Sequence, residues 1–184
     1  MASPFDAIDA DGLEIAVHRA DAGPLREAAR QLVRAAYSRR GYRVPADADG
    51  GHQTTIVVCV ADVVVATATV GFDGGAGLKA DLVHKTRIDA YRLRGARVCE
   101  ITGLASARGA TFETVLPLIF HRLFVLTSAV YGCTDIFIEV HPRHRRFYET
   151  RFGFQCLSPI SMSPRVNAPA YLLQVSTERL ASLW

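Results

Sequence analysis

The sequence is poor in lysine and carries little net charge. Lys79 and Lys85 are its only lysines, and 21 basic residues in all face 18 acidic ones, which gives a net charge of +3. Such a balance argues against a protein whose main function is to bind DNA or RNA. Because 49% of the residues are hydrophobic, the composition also excludes a disordered polypeptide. We therefore expect a folded protein, and 184 residues suit a single domain over residues 1–184.

Cysteine is scarce and is not arranged in Cys-x-x-Cys pairs. The four cysteines lie in or beside apolar runs, at Cys59, Cys99, Cys133 and Cys156. This pattern predicts buried, reduced thiols rather than disulfides or a zinc site. His141 and His144 have no acid or cysteine close by in sequence, so we expect no metal site. Residues 1–12 carry acids where a secretion signal needs basic residues and an apolar core, which favours a cytoplasmic protein.

The sequence also lacks an uninterrupted apolar run long enough to cross a membrane. Its longest candidate, residues 112–132, contains Pro117 and carries His121 and Arg122 at its centre. Charged side chains are costly in the middle of a lipid bilayer. We therefore interpret this segment as a helix buried in a globular core, with no membrane insertion.

What the sequence does contain is a series of β-branched runs alternating with amphipathic segments. Strands are predicted at residues 13–18, 53–60, 63–72, 97–104, 135–140, 154–157 and 170–175, and helices at residues 24–41, 82–93, 112–132 and 142–152. The two-residue link Ala61-Asp62 predicts an antiparallel hairpin. This order indicates an α/β fold with a mixed, partly antiparallel sheet and helices on both faces.

Four segments resemble a known family. Residues 146–154 (RFYETRFGF) resemble the last core helix of the GNAT acyltransferases, where a tyrosine precedes a Gly-Phe pair. Residues 77–106, 134–154 and 164–175 resemble the FeeM group of long-chain N-acyl amino acid synthases, which are GNAT-fold relatives of the acyl-homoserine lactone synthases. The resemblance extends over about residues 39–175. It implies a GNAT-like fold and the transfer of a long-chain fatty acyl group from acyl carrier protein to the amine of an amino acid.

Two residues are candidates for catalysis. Glu100 is the one acid in an apolar strand, where desolvation should raise its pKa and suit it to take a proton from the acceptor ammonium or to orient that group. Tyr148 stands where the GNAT resemblance implies a tyrosine that donates a proton to the departing thiolate. The alternatives are a Glu100 that faces solvent or pairs with Arg97, and a Tyr148 that only packs on the sheet.

The turn after residues 97–104 bears on the acyl donor. By the resemblance, GNAT enzymes that use coenzyme A carry an Arg/Gln-x-x-Gly-x-Gly/Ala loop there, and its backbone N–H groups hold the pyrophosphate. This chain has Arg108-Gly109-Ala110 without a second glycine. Acyl carrier protein presents a single phosphate, so a reduced loop fits it. The residues expected to bind the acyl and pantetheine groups are Leu104, Ala105, Ser106, Arg108 and Gly109. No resident cofactor is expected, and a coenzyme A donor stays open.

Residues 142–152 form a basic helix in this interpretation. Its arginines are Arg143, Arg145, Arg146 and Arg151. An acidic carrier protein would dock on such a helix, although an ordinary solvated face has the same composition. Two positions depart from the family pattern: Gly103 replaces Lys or Arg, and Ala107 replaces Asp. The alternatives to a synthase are therefore an acetyl-CoA-dependent N-acetyltransferase and a module that binds an acyl chain or carrier protein without turnover.

Overall fold

A computed structural model describes residues 7–8, 14–43, 52–108 and 112–183. Its strands are β1 (Ala7–Ile8), β2 (Glu14–Arg19), β3 (Gln53–Val60), β4 (Val63–Phe72), β5 (Val98–Ser106), β6 (Asp135–Val140), β7 (Gln155–Cys156), β8 (Ser161–Ser163) and β9 (Ala168–Ser176). Its helices are α1 (Gly23–Ser38), α2 (Asp81–Arg92), α3 (Phe112–Phe124), α4 (Pro142–Phe152) and α5 (Thr177–Ala181), with a π-helical turn at Val125–Val130 after α3.

The strands form one sheet in the order β1-β2-β3-β4-β5-β6-β9-β7, and β8 pairs with β9. Neighbouring strands are antiparallel except β5 and β6, which are parallel. The mixed, partly antiparallel sheet expected from the sequence is therefore confirmed. The short elements β1, β8 and α5 were not predicted, because two to five residues carry too little periodicity to be recognised.

Helices cover both faces of the sheet, as the order of elements predicted. On one face, α3, α4 and α5 contribute Ile119, Phe152 and Leu180 to the largest cluster of buried apolar side chains. On the other face, α1 packs through Ala29 against β3, and α2 packs through Ile88 against β5, β6 and β9. The sheet is thus the middle of three layers.

The hairpin between β3 and β4 has the predicted bounds. Ala61 and Asp62 lie at φ angles of 46° and 64°, in the left-handed region that a two-residue hairpin turn uses. This turn twists in the same sense as the strands that it joins. The hairpin places β4 beside β5, where the site lies.

The prediction that residues 112–132 form one continuous helix is wrong in its second half. Regular α-helix ends at Phe124, and a π-helical turn follows over Val125–Val130. Within and beside this turn, the Thr127 hydroxyl donates to the carbonyl of Leu123 at 2.8 Å, and the Ser128 hydroxyl donates to that of Phe124 at 2.6 Å. These side-chain donors compete for backbone acceptors, which accounts for the change in winding.

The parallel strands β5 and β6 pair over only part of their length. Their register runs from Val98 opposite Asp135 to Ile101 opposite Ile138, yet β5 continues to Ser106. A β-bulge interrupts the pairing of β5 with β4 just beyond this point. Gly103 lies in the bulge with φ +60°, a conformation that glycine adopts without steric cost. Past Ile101, the two strands leave a gap in the sheet.

Candidate active site

The gap between β5 and β6 opens into a cavity of about 150 Å³. Residues 101–106 of β5 form one wall, and residues 138–140 of β6 form the other. Tyr148 of α4 and Tyr37 of α1 approach from opposite faces of the sheet, and the segment that joins β8 to β9 closes one side. The fold therefore brings the strand ends, two helices and a late hairpin around one space.

Glu100 lines this cavity and is 3% exposed. Its two carboxylate oxygens accept hydrogen bonds from the backbone N–H groups of Lys79 at 2.8 Å and Ala80 at 2.9 Å, just before α2. Burial raises the pKa of Glu100, while Arg165 and the two backbone donors oppose the rise. The alternatives of a solvent-facing Glu100 and of a pair with Arg97 are both wrong. Each oxygen keeps a second lone pair for a ligand.

Tyr148 lies on α4, is 6% exposed and also lines the cavity. Its ring belongs to an aromatic cluster with Phe120, Phe152 and Phe154. Burial raises the pKa of Tyr148 well above its usual value, with Tyr37 nearby adding to the rise. The phenol is therefore protonated at neutral pH. Tyr148 both packs in the aromatic cluster and lines the cavity, so the two interpretations made from the sequence do not exclude each other.

The residues predicted to bind the acyl and pantetheine groups divide into three sets. Leu104, Ala105 and Ser106 line the cavity. Arg108 is exposed just beyond the end of β5. Gly109 lies outside the described residues.

The backbone of β5 offers a donor for the carbonyl oxygen of a bound acyl group. Ala107 donates its N–H to Val65 of β4 at 2.8 Å, while the carbonyl of Ser106 accepts from Arg39 on the side away from β4. Because backbone groups alternate between the two edges of a strand, the N–H of Ser106 also points away from β4, towards the gap. An amide in that position can stabilise developing negative charge on an oxygen.

The four arginines of α4 are placed differently. Arg143, Arg146 and Arg151 are exposed. Arg145 forms an ion pair with Glu149 at 2.7 Å and lies over the ring of Tyr171 at 4.9 Å. Three of the predicted docking residues are therefore open to a partner, while Arg145 is held against the protein surface.

A second source of positive charge at the cavity mouth was not singled out from the sequence. Arg39, Arg40 and Arg43 follow α1 and are exposed. Tyr42, between them, accepts a hydrogen bond from Arg143 at 3.0 Å and stacks on His141. We call Arg39, Arg40, Arg43 and Arg143 the arginine rim. The run Ser-Arg-Arg-Gly-Tyr-Arg was a visible signal, but only the fold places it beside α4.

Burial and two members of the arginine rim, Arg40 and Arg143, affect the protonation of the two histidines at the mouth. His141 caps the N-terminus of α4 through Nδ1, which accepts the N–H of Arg143 at 3.3 Å. Burial, together with the charges of Arg143, Arg40 and His141, lowers the pKa of His144 to about 4. The pKa of His141 is lowered by burial and by the same two arginines. Both imidazoles are therefore neutral at pH 7, and the mouth has a positive potential.

Sequence reasoning missed two charged residues inside the cavity. Glu139 lies on β6, on the same sheet face as Glu100, and Arg165 lies between β8 and β9. They face each other, with Nη1 of Arg165 3.5 Å from Oε2 of Glu139. An acid with apolar neighbours on both sides, as Glu139 has in Ile-Phe-Ile-Glu-Val, is the same kind of signal that identified Glu100. No local pattern marks Arg165.

The described residues contain no cluster of three His, Cys, Asp or Glu side chains suited to a metal ion. Within the same parts of the chain, no helix has both the length and the apolar character needed to span a bilayer.

Comparison with known proteins gives one family and a set of structures. The model of the family described as N-acyl amino acid synthase FeeM matches residues 28–176. The structure of FeeM, an N-acyl amino acid synthase from uncultured soil microbes, superposes with a TM-score of 0.84 at 22% identity, covering 95% of this chain and 96% of that one. A search of curated proteins found no match.

Two further structures share the fold at lower similarity. An acyl-CoA N-acyltransferase from Pseudomonas aeruginosa has a TM-score of 0.59 at 14% identity, over 88% of this chain and 98% of that one. ElaA of Escherichia coli has a TM-score of 0.64 at 14% identity, over 87% and 98%. The match of the family model over most of the sequence decides the family. The chain belongs to the N-acyl amino acid synthase FeeM family and is an acyltransferase with a GNAT-like fold.

Proposed function

We propose that this protein transfers a long-chain fatty acyl group from acyl carrier protein to the amine of an amino acid, releasing an N-acyl amino acid. One observation carries the proposal beyond family membership: a single cavity is lined by Glu100, Tyr148 and Arg40, and the other arginines of the arginine rim lie exposed beside it. A base, an acid and a docking surface for an acidic donor are the parts that this reaction needs.

The reaction forms a C–N bond and breaks a C–S bond. Glu100 takes a proton from the acceptor ammonium, and the neutral amine attacks the thioester carbonyl. The N–H of Ser106 supports the negative charge that develops on the carbonyl oxygen. The tetrahedral intermediate that results then collapses and expels the pantetheine thiolate. The thiolate takes the proton of Tyr148. The amide nitrogen loses its second proton, directly or through water, and this proton restores the phenol.

The cavity is lined by apolar side chains from the face of the sheet that carries α3 and by charged side chains from the opposite face. Apolar side chains from β5, β6 and α3 line one part: Ile101, Ile138 and Phe120. Each methylene that moves from water into such a surface contributes about 0.8 kcal/mol, so this part suits an acyl chain. Glu100, Glu139 and Arg165 line the other part, and their charges suit a zwitterion.

The donor assignment rests on charge at the mouth. The arginine rim, together with exposed Arg146 and Arg151, offers positive charge to an acidic protein and to the phosphate of its pantetheine arm. Contacts of this kind steer association more than they add affinity, and salt screens them. The described cysteines are free thiols, which is compatible with the cytoplasm as the proposed site of action.

The test compares one acyl group on two donors. Purified protein is given dodecanoyl carrier protein or dodecanoyl-CoA with a mixture of amino acids, and thiol release and acylated products are measured. We expect faster transfer from the carrier protein and a rate that falls with ionic strength. The double variant Arg143→Glu/Arg146→Glu should raise KM for the carrier protein at least ~10-fold, because two attractive charges become repulsive. Arg94→Glu, an exposed change after α2, is the matched control.

Two results would contradict the proposal. Turnover of acetyl-CoA without any response to carrier thioesters would identify an N-acetyltransferase. Binding of acyl carrier protein with no thiol release under any condition would identify a module without catalytic activity.

A further inference from the structure

Four polar side chains behind the catalytic pair form a buried group that the mechanism does not use. They are His84, Glu139, Ser163 and Arg165. Three of them line the cavity, and His84 of α2 lies behind Glu139 with its Nε2 3.7 Å from Oε1. The side chains of Glu139 and Arg165 are 10% and 17% exposed.

This group is incompletely hydrogen-bonded. Oε1 of Glu139 and Nε2 of His84 are buried and have no hydrogen-bond partner among the described residues. The other oxygen of Glu139 is only loosely held, at 3.4 Å from the hydroxyl of Ser163 and 3.5 Å from Nη1 of Arg165. Each buried polar atom without a partner lowers the stability of the fold by about 1–3 kcal/mol. A group that carries this cost beside a cavity is best explained by a role in binding.

Arg165 has more donors than its single contact uses. A guanidinium carries five N–H groups in a planar fork, and within the described part of the chain its only hydrogen bond is the 3.5 Å contact to Glu139. Since Arg165 lines the cavity, its remaining donors are available there. Two parallel N–H groups match the two oxygens of a carboxylate, a match that lysine and amide side chains do not provide.

The charges in the cavity match those of an α-amino acid. Glu100 and Glu139 project to one face from neighbouring strands, and Arg165 acts electrostatically on Glu100 as well as bonding to Glu139. With the acceptor ammonium beside Glu100, the α-carboxylate of the same molecule would meet the guanidinium of Arg165.

We infer that Arg165 binds the α-carboxylate of the acceptor and that Glu139 orients the guanidinium. This inference rests on the proposed function. It names the side chain that recognises the free carboxylate of the amino-acid acceptor.

The test compares each acceptor with its own amide, which keeps the amine and side chain but lacks the carboxylate. Glycine, leucine, glutamine and tyrosine are each assayed beside glycinamide, leucinamide, glutaminamide and tyrosinamide. We expect the wild-type protein to prefer the acid by about 100-fold in kcat/KM, since a buried fork without its partner is penalised. Arg165→Gln should lower kcat/KM for the acid by a similar factor and change that for the amide less than about 3-fold.

Two further variants separate binding from structure. Arg165→Lys keeps the charge without the fork and should restore only part of the preference. Arg94→Gln removes an exposed guanidinium elsewhere and should leave the preference unchanged. An equal loss for acids and amides in Arg165→Gln, or an unchanged ratio, would overturn the inference.

Failure of the proposed function can be distinguished from failure of the inference about Arg165. If the wild-type protein transfers no acyl group to any of these compounds, ligand-observed NMR with the four amino acids decides the inference alone. Weaker binding to Arg165→Gln than to wild type supports it, and equal binding overturns it.

Discussion

Glu100 and Glu139 project from neighbouring strands to the same face of the sheet, yet their carboxylates are held differently. Both oxygens of Glu100 accept backbone N–H groups at 2.8 and 2.9 Å. Glu139 instead has one oxygen near Arg165 and one without a partner among the described residues. The firmly held residue suits proton transfer, because a base must be fixed near the reacting amine. The loosely held one suits a positioning role, because its long contact leaves most donors of Arg165 unused.

Replacing Glu100 by Gln removes the base but keeps an amide oxygen for one of the two N–H groups. We expect kcat to fall by about 100-fold or more, which is the usual contribution of a general base. Because burial raises the pKa of Glu100, the wild-type rate should fall with decreasing pH at values above 4.5, as the carboxylate becomes protonated. A pH profile of kcat/KM in both proteins checks this. An unchanged acid limb in Glu100→Gln would assign the titration to another group.

Replacing Tyr148 by Phe removes one oxygen and leaves the aromatic cluster in place. The ring still packs with Phe120 and Phe152, so the melting temperature should change little. We expect kcat to fall by about 10- to 100-fold with KM for the donor unchanged, because the proton of the phenol is needed only as the thiolate leaves. Steady-state kinetics with the carrier thioester measures it. A rate equal to that of wild type would leave Tyr148 with a packing role.

Some site residues can be recognised from their own segment of the sequence, whereas others can be recognised only from the fold. Glu100 and Tyr148 were found because each stands out within its own segment. Arg165 was missed since its partners lie on β5 and β6, far away along the chain. An ion pair between distant segments leaves no periodic signal, and only the three-dimensional fold brings it together.

At the scale of single elements, β5 does the most to shape the site. Its first half pairs with β6 and its second half does not, and the bulge at Gly103 lies between the two. The strand itself was predictable from its apolar, β-branched composition, and its start was correct to one residue. Its end, two residues later than expected, was not predictable. A bulge depends on the partner strand rather than on local propensity.

Gly103→Ala tests the bulge. A Cβ at this position would meet Thr69 Oγ1 at 3.7 Å and Val33 Cγ2 at 3.8 Å, which are ordinary contacts. The cost is therefore conformational, about 1 kcal/mol for placing alanine at positive φ. We expect a slightly lower midpoint of urea denaturation and a larger fractional loss of kcat, because the backbone donor at Ser106 shifts. Full activity with lowered stability would show that the bulge is not required for catalysis.

At the scale of the whole molecule, positive charge is concentrated where α1 ends and α4 begins. The net charge of +3 gives no hint of this, because arginines from two distant segments meet only after folding. Burial, together with the charges of Arg143 and Arg40, lowers the pKa of His144 and keeps its imidazole neutral. This arginine-rich surface therefore also contributes to how the free energy of unfolding responds to pH.

This effect predicts a pH dependence of stability. The folded pKa of His144 is about 4, below the usual value of about 6.5 for unfolded chains. Between these values the unfolded chain binds more protons, so the free energy of unfolding falls as pH decreases from about 6.5 to about 4. We expect His144→Asn to reduce this loss by about 1 kcal/mol or less, allowing for solvent screening. Thermal denaturation at pH 7 and pH 5 measures it. Identical pH slopes in both proteins would refute it.

The cavity is completed by segments that lie near opposite ends of the described chain. The N–H of Arg43 donates to the carbonyl of Val166 at 2.8 Å, which joins the end of α1 to the turn before β9. Since closing a long loop costs entropy, we expect contacts between such distant segments to form late in folding. A partly folded chain would then have strands and helices without the closed cavity. The site that we propose for the acceptor would exist only once these two segments have met.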